Sequence, residues 1–87
     1  MTEEKIGVVI HYWSQLSVAG VRLTGGELKV GDTIRVRGHT SDFTQHVESM
    51  HIGTETVDAA RAGDEVGIRI NELAREHDEV FKVTEFD

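Results

Sequence analysis

Val30-Gly31-Asp32-Thr33-Ile34-Arg35-Val36 and Ala62-Gly63-Asp64-Glu65-Val66-Gly67-Ile68 read alike: a small or apolar residue, Gly, Asp, then alternating apolar positions. His77-Asp78-Glu79-Val80-Phe81-Lys82-Val83 repeats the form with His in place of Gly. Each unit predicts a tight turn whose Asp bonds nearby backbone N–H groups and which releases straight into a strand. Three such units predict a meandering sheet. Gly31 and Gly63 are expected at positive φ, which glycine reaches without the Cβ penalty.

Upstream, Ile6, Val8 and Ile10 alternate with Gly7, Val9 and His11, so a first strand is expected over about residues 5–11. Tyr12-Trp13-Ser14-Gln15-Leu16 lacks periodicity and reads as a loop. Val18 to Leu23 resumes as a strand with Ala19, Val21 and Leu23 on one face and Arg22 opposite, and Gly25-Gly26 marks a turn. Between the first two repeats, Phe43 to Ile52 reads as one long strand whose apolar positions change parity between Val47 and Met50, as a bulge around Ser49 would require. Residues 55–62 read as a loop crossing one end of the sheet. Six or seven short strands in 87 residues fit a single small closed β-barrel, which leaves no exposed sheet edge.

Composition agrees. Val, Ile and Thr supply 11, 6 and 8 residues while Ala and Leu supply only 5 and 4, and β-branched side chains pack best on pleated surfaces. An 87-residue chain holds one domain with one small core. The absence of Cys excludes disulfides, thiolate metal sites and thiol catalysis. The acidic start, Met1-Thr2-Glu3-Glu4-Lys5, lacks the basic and apolar regions of a secretory signal, so a cytoplasmic protein without membrane association is expected. The net charge is −7, with the acidic excess confined to residues 44–87, which opposes non-specific contact with phosphate backbones.

Gly7-Val8-Val9, Val18-Ala19-Gly20-Val21-Arg22-Leu23 and Gly26-Glu27-Leu28-Lys29-Val30-Gly31-Asp32-Thr33-Ile34 together resemble the opening of the second domain of elongation factor Tu and related translation GTPases. Val47-Glu48-Ser49-Met50-His51-Ile52 and Val57-Asp58-Ala59-Ala60-Arg61-Ala62-Gly63-Asp64-Glu65-Val66-Gly67-Ile68 are similar to that domain's second half. The stretch from Gly38 to Gln45 is closer to small free-standing elongation-factor-like proteins, and resembles in part the C-terminal barrels of collagenase-like peptidases. The resemblance implies a six-stranded barrel and a role beside the translation machinery. It also marks departures: an Asn common in the family before Val-Gly is here Glu65, which would meet phosphate unfavourably, and a Gly common in the last turn is His77.

No Gly-x4-Gly-Lys-Ser/Thr loop frames Lys5, Lys29 or Lys82, so the chain itself is expected neither to bind nor to hydrolyse GTP. The histidines, at 11, 39, 46, 51 and 77, include no His-x-His pair, and solvent-facing side chains are expected rather than metal ligands. No Gly-x-Ser-x-Gly elbow exposes a nucleophile, and adjacent carboxylates such as Asp64-Glu65 diverge at strand starts. The expectation is therefore a non-enzyme with no cofactor. Partner-binding candidates are of two kinds. Arg22, Arg35, Arg37 and Arg69 should point outward and would form a basic stripe if their strands lie close; the alternative is that each pairs with a neighbouring carboxylate. Tyr12 and Trp13 would anchor a protein partner, unless Trp13 caps an end of the barrel. The function expected is a non-catalytic, elongation-factor-like module contacting a protein, ribosomal or tRNA partner, with a protein favoured. The other reading is an accessory, substrate-positioning subunit of a separately encoded collagenase-like peptidase.

Overall fold

The computed structural model describes residues 2–84, all of them in strands and connecting turns. Ten strands follow in order: β1 (Thr2–Trp13), β2 (Val18–Leu23), β3 (Glu27–Lys29), β4 (Thr33–Arg37), β5 (Asp42–His46), β6 (Met50–Ile52), β7 (Glu55–Val57), β8 (Ala59–Arg61), β9 (Glu65–Arg69) and β10 (Glu79–Thr84). Eight form one antiparallel sheet in the order β5-β4-β10-β1-β2-β9-β6-β7, and β3 pairs with β8 in a separate ribbon. The fold is an all-β barrel. Among the described residues no helix is long and apolar enough to cross a membrane.

The three sequence repeats fold into one hydrogen-bonded device used three times. In each, the Asp N–H returns to the carbonyl three residues back: Asp32 to Lys29 (3.0 Å), Asp64 to Arg61 (3.0 Å) and Asp78 to Arg75 (3.1 Å). In each, the Asp carboxylate accepts from that same first residue's N–H, at 2.9, 3.0 and 2.9 Å respectively. The turn then docks on another segment of the chain, β2 and β1 in two cases and Val47, just past β5, in the third, through two reciprocal bonds. Gly31 N–H donates to Val47 and Val47 N–H to Asp32; Gly63 and Asp64 do the same with Leu23; His77 and Asp78 do the same with Val9. Gly31 and Gly63 have φ of +98° and +99°, and His77, in the equivalent place, has +76°. Positive φ was expected for both glycines, and the Asp bonds appear as the local pattern predicts.

Side chains from both ends of the chain make one core. Ile6, Val9, Val21, Leu23, Leu28, Ile34, Val36, Val47, Met50, Val66, Ile68 and Val80 are all within 2% of complete burial, and each such side chain contributes roughly 1.5–3 kcal/mol through lost apolar exposure. Ala19, Val21 and Leu23 share the inner face and Arg22 faces out, as the alternation of β2 requires.

Several boundaries differ from those the sequence suggests. The first strand extends to Trp13, so Tyr12 and Trp13 are strand residues and the turn begins at Ser14. Register shifts between Lys5 and Gly7 and between Val9 and His11 break its alternation, so Ile6 and Val9 face the core while Val8 and Ile10 are half-buried. These bulges bend β1 so that its first part pairs with β10 and its last part with β2. At the bend Gly7 has no room for a side chain: a Cβ would lie 2.6 Å from the Arg22 carbonyl oxygen. The long strand expected over 43–52 is two strands, because the chain leaves β4 at Val47–Ser49 and re-pairs as β6 with β7 and β9. Residues 55–62 contain β7 and β8 rather than forming a loop.

The buried Gln45 amide ties β5, at one end of the sheet order, to the end of β9. Its Nε2 donates to the Arg69 carbonyl (3.0 Å), and its Oε1 accepts from the Asn71 N–H (2.7 Å). One side chain thus spans strands between which β4, β10, β1 and β2 intervene.

Candidate functional site

The pairing registers of four strands place His11, Gly20, Gly67 and His51 side by side: His11 opposes Gly20, Gly20 opposes Gly67 and Gly67 opposes His51. Directly opposed residues of antiparallel strands point to the same face. Here that face is the outer one, since the neighbouring row, Val9, Val21 and Val66, is in the core. Two glycines side by side leave a trough in the barrel wall. Trp13 lies against one of them, with its Cζ3 3.0 Å from where a Gly20 Cβ would be, and the His51 imidazole occupies the space a Gly67 Cβ would take. The trough is about 370 Å³, within the rough range of 300–1,000 Å³ typical of ligand sites. Ile10, Leu16 and Val18 complete apolar walls, and Glu65 stands at its margin.

Trp13 is 44% exposed and Leu16 64% exposed, so the two form an apolar ridge beside the trough. The His11 ring meets the Trp13 indole edge-on, with centroids 4.4 Å apart and planes at 64°, which fixes the indole's direction. Tyr12, the next residue along β1, is half-buried against the core, and with Trp13, Ser14, Gln15 and Leu16 it lines a second shallow depression on the far side of the ridge. Trp13 therefore stands between two depressions.

The four arginines are dispersed. Arg22 on β2 donates to Glu65 on β9 through Nε (3.1 Å) and Nη2 (2.8 Å). Arg35 on β4 holds two carboxylates, Asp42 on β5 at 2.8 Å and Glu3 on β1 at 2.9 Å. These hydrogen bonds hold the Asp42 carboxyl below its ordinary range, chiefly through the Arg35 side chain, and push the Arg35 guanidinium higher still, chiefly through Asp42 and then Glu3. Arg37 stacks on the Phe81 ring, 4.8 Å from its centroid. Arg69, across from Val18, is exposed and has no ion-pair partner among the described residues. Because β10 and β1 intervene between β4 and β2, the structure does not bring Arg35 and Arg37 beside Arg22 and Arg69.

Among the described residues no group of three His, Asp or Glu side chains could hold a metal ion. His46 faces Thr33, with its Nδ1 2.9 Å from the hydroxyl, and lies away from His51 in the trough. The trough was not legible in the sequence. The glycines that form it, Gly20 and Gly67, are far apart in the chain, and only the β2–β9 register brings them together. The one local signal was that each glycine sits inside a strand, where it often marks a close approach by another group.

The family described as elongation factor Tu domain 2 matches residues 17–80. Among curated proteins, the chain is similar to an uncharacterized protease of Methanocaldococcus jannaschii, 38% identical over 82 residues, covering 93% of this chain and 20% of that protein. It is also similar to a collagenase of Porphyromonas gingivalis, 33% identical over 78 residues, covering 88% of this chain and 22% of that protein. The chain thus spans about a fifth of the length of these relatives. Among solved structures, it superposes on the C-terminal domain of a Geobacillus thermoleovorans protein classed as a U32 peptidase, with a TM-score of 0.86, 23% identity and 93% of each chain covered. It also superposes on GDP-bound aIF5B of Aeropyrum pernix, with a TM-score of 0.63 and 16% identity, covering 92% of this chain and 14% of that one. The two structural likenesses establish the fold.

Proposed function

The chain belongs to the elongation factor Tu domain 2 family, and from that premise we propose that it is a non-catalytic module that positions substrate for the catalytic part of a collagenase-like peptidase. The observation that carries this reading is the pattern of similarity. Proteins described as a protease and a collagenase match nearly all of this chain with about a fifth of their own length, so the shared part is one domain's worth of a much larger protein. The exposed Trp13–Leu16 ridge and its glycine-floored trough supply what a positioning module needs, an apolar surface that grips without reacting. A protein or peptide partner also suits the electrostatics better than RNA does. The chain carries −7, and two of its four candidate arginines, Arg22 and Arg35, are occupied by Glu65, Asp42 and Glu3. The same reading expects no GTP binding, and calorimetry showing micromolar affinity for GTP would contradict it.

Affinity purification of the chain from its native cells, with identification of bound macromolecules, tests the reading. Recovery of a collagenase-like peptidase chain whose gelatin hydrolysis falls when Tyr12 and Trp13 are replaced by Ala is the expected result. Recovery of ribosomal proteins or tRNA without a peptidase, lost in an Arg35→Glu, Arg37→Glu variant and retained in the Ala pair, would place the module in translation instead.

A further inference from the structure

We propose that the outer face at the end of the β1–β2 hairpin takes the C-terminus of a polypeptide, with Arg69 holding the terminal carboxylate and Trp13, Leu16 and Val18 the last, large apolar side chain. The inference deepens the proposed function by naming the part of a chain that such a module holds, and it rests on that reading. Strand register builds the site. Trp13 opposes Val18 on β2, and Val18 opposes Arg69 on β9, so the three side chains form one row on the face that also carries His11. Backbone bonds set Arg69 in this row. Its carbonyl accepts from the buried Gln45 amide (3.0 Å), and the next N–H, of Ile70, donates to the Ser17 carbonyl in the hairpin turn (2.9 Å). A bond from the Leu16 N–H to the Trp13 carbonyl (3.1 Å) closes that turn, from which the Leu16 side chain stands exposed.

Two properties of the row determine the ligand's chemistry. Apolar surface is open on Trp13 and Leu16, and the exposed Arg69 guanidinium has no ion-pair partner among the described residues, although acidic side chains outnumber basic ones 16 to 9. Arg22 and Arg35, by contrast, hold carboxylates, and Arg37 stacks on Phe81. Glu65, the other acid of β9, is tied to Arg22 at 2.8 Å, so its charge is offset and the repulsion of an incoming anion is local to neither end of the row. A complementary ligand carries an anion close to a bulky apolar group. Val18 and Arg69 are one inter-strand step apart, about 4.8 Å, so a single residue must present both groups. A C-terminal residue does, because its carboxylate and its side chain leave the same Cα, whereas an internal Asp or Glu carries the carboxylate in place of an apolar side chain. The planar guanidinium donates two parallel bonds to such a carboxylate. A phosphate backbone would call for several cations in register, and this row supplies one.

Trp13 is the only tryptophan, so its emission reports on the row directly. The test titrates the 87-residue chain with an N-acetylated Gly-Ser-Gly-Ser-Leu peptide ending in a free carboxylate, with the same peptide ending in an amide, and with single-stranded RNA. The expected result is a saturable change in Trp13 emission with the free acid, and binding about fivefold or more weaker for the amide. Arg69→Gln should lower the affinity for the acid to that for the amide and leave the amide's unchanged. Leu16→Ser should weaken both, and Arg61→Gln, on the separate β3–β8 ribbon, should change neither. A variant that had merely lost its fold would bind neither peptide. No saturable change, equal affinity for acid and amide, acid binding unaltered by Arg69→Gln, or an RNA response that Arg69→Gln abolishes would each overturn the proposal. The two readings fail separately: a peptidase partner with no discrimination between acid and amide removes only this inference, and carboxylate-dependent peptide binding with no peptidase partner removes only the proposed function.

Discussion

His77 holds a φ of +76° in a turn whose two counterparts, Gly31 and Gly63, hold +98° and +99°. A side chain in this region sets its Cβ against the backbone, at a cost of roughly 1–2 kcal/mol. His77→Gly is therefore expected to stabilise the protein by about 1 kcal/mol, seen as a higher denaturant midpoint with an unchanged slope. The reverse substitution isolates the same effect. Nothing lies within 4 Å of a Cβ at Gly31 or Gly63, so Gly63→Val should cost at least about 1 kcal/mol through backbone conformation and not through a clash. A wild-type midpoint for Gly63→Val would show that the turn tolerates L-residues freely, and the His77 argument would fail with it.

At the scale of elements, Arg35 joins β4 to β5 and to the start of β1 through Asp42 and Glu3. Asp42 is held below its ordinary carboxyl range in the folded chain, so its contribution to stability is present above the unfolded value and is lost as pH falls through the folded one. Nuclear magnetic resonance titration should place the Asp42 midpoint below that of a free aspartate, and Arg35→Gln should return it upward. The stability difference between wild type and Arg35→Gln should close in acid, once Asp42 is protonated in both. Which elements the sequence reveals follows from the range of the interactions that make them. The Gly-Asp turns and β2 were readable because their hydrogen bonds and alternation lie within a few residues. The parity change between Val47 and Met50 marked where the strand is interrupted, but that the chain re-pairs there into a separate strand, and the three-residue strands β6, β7 and β8 themselves, were not readable, because pairing with β9 and β3 defines them. The arginines could be read as outward-facing, but whether they gathered or dispersed depended on strand order. The glycine trough was hidden for the same reason.

For the molecule as a whole, Gln45 links strands that the sheet order keeps apart. Gln45→Leu removes the acceptor for the Asn71 N–H and the donor to the Arg69 carbonyl, and should destabilise by roughly 1–3 kcal/mol. Hydrogen exchange at the Asn71 amide should accelerate more than at core positions such as Val66 or Val80, and uniform acceleration would indicate general loosening in place of an opened seam. The three turns, equal in geometry, differ in the span of chain each must close. Gly31 reaches Val47 nearby, Gly63 reaches back to Leu23, and His77 reaches back across most of the chain to Val9. Closure entropy grows with that span, so the first turn is expected to form early and the His77 turn last. The one non-glycine member of the set thus sits in the turn expected to close after the others. Relief of its strain should therefore slow the opening of the finished barrel while leaving its rate of assembly almost unchanged.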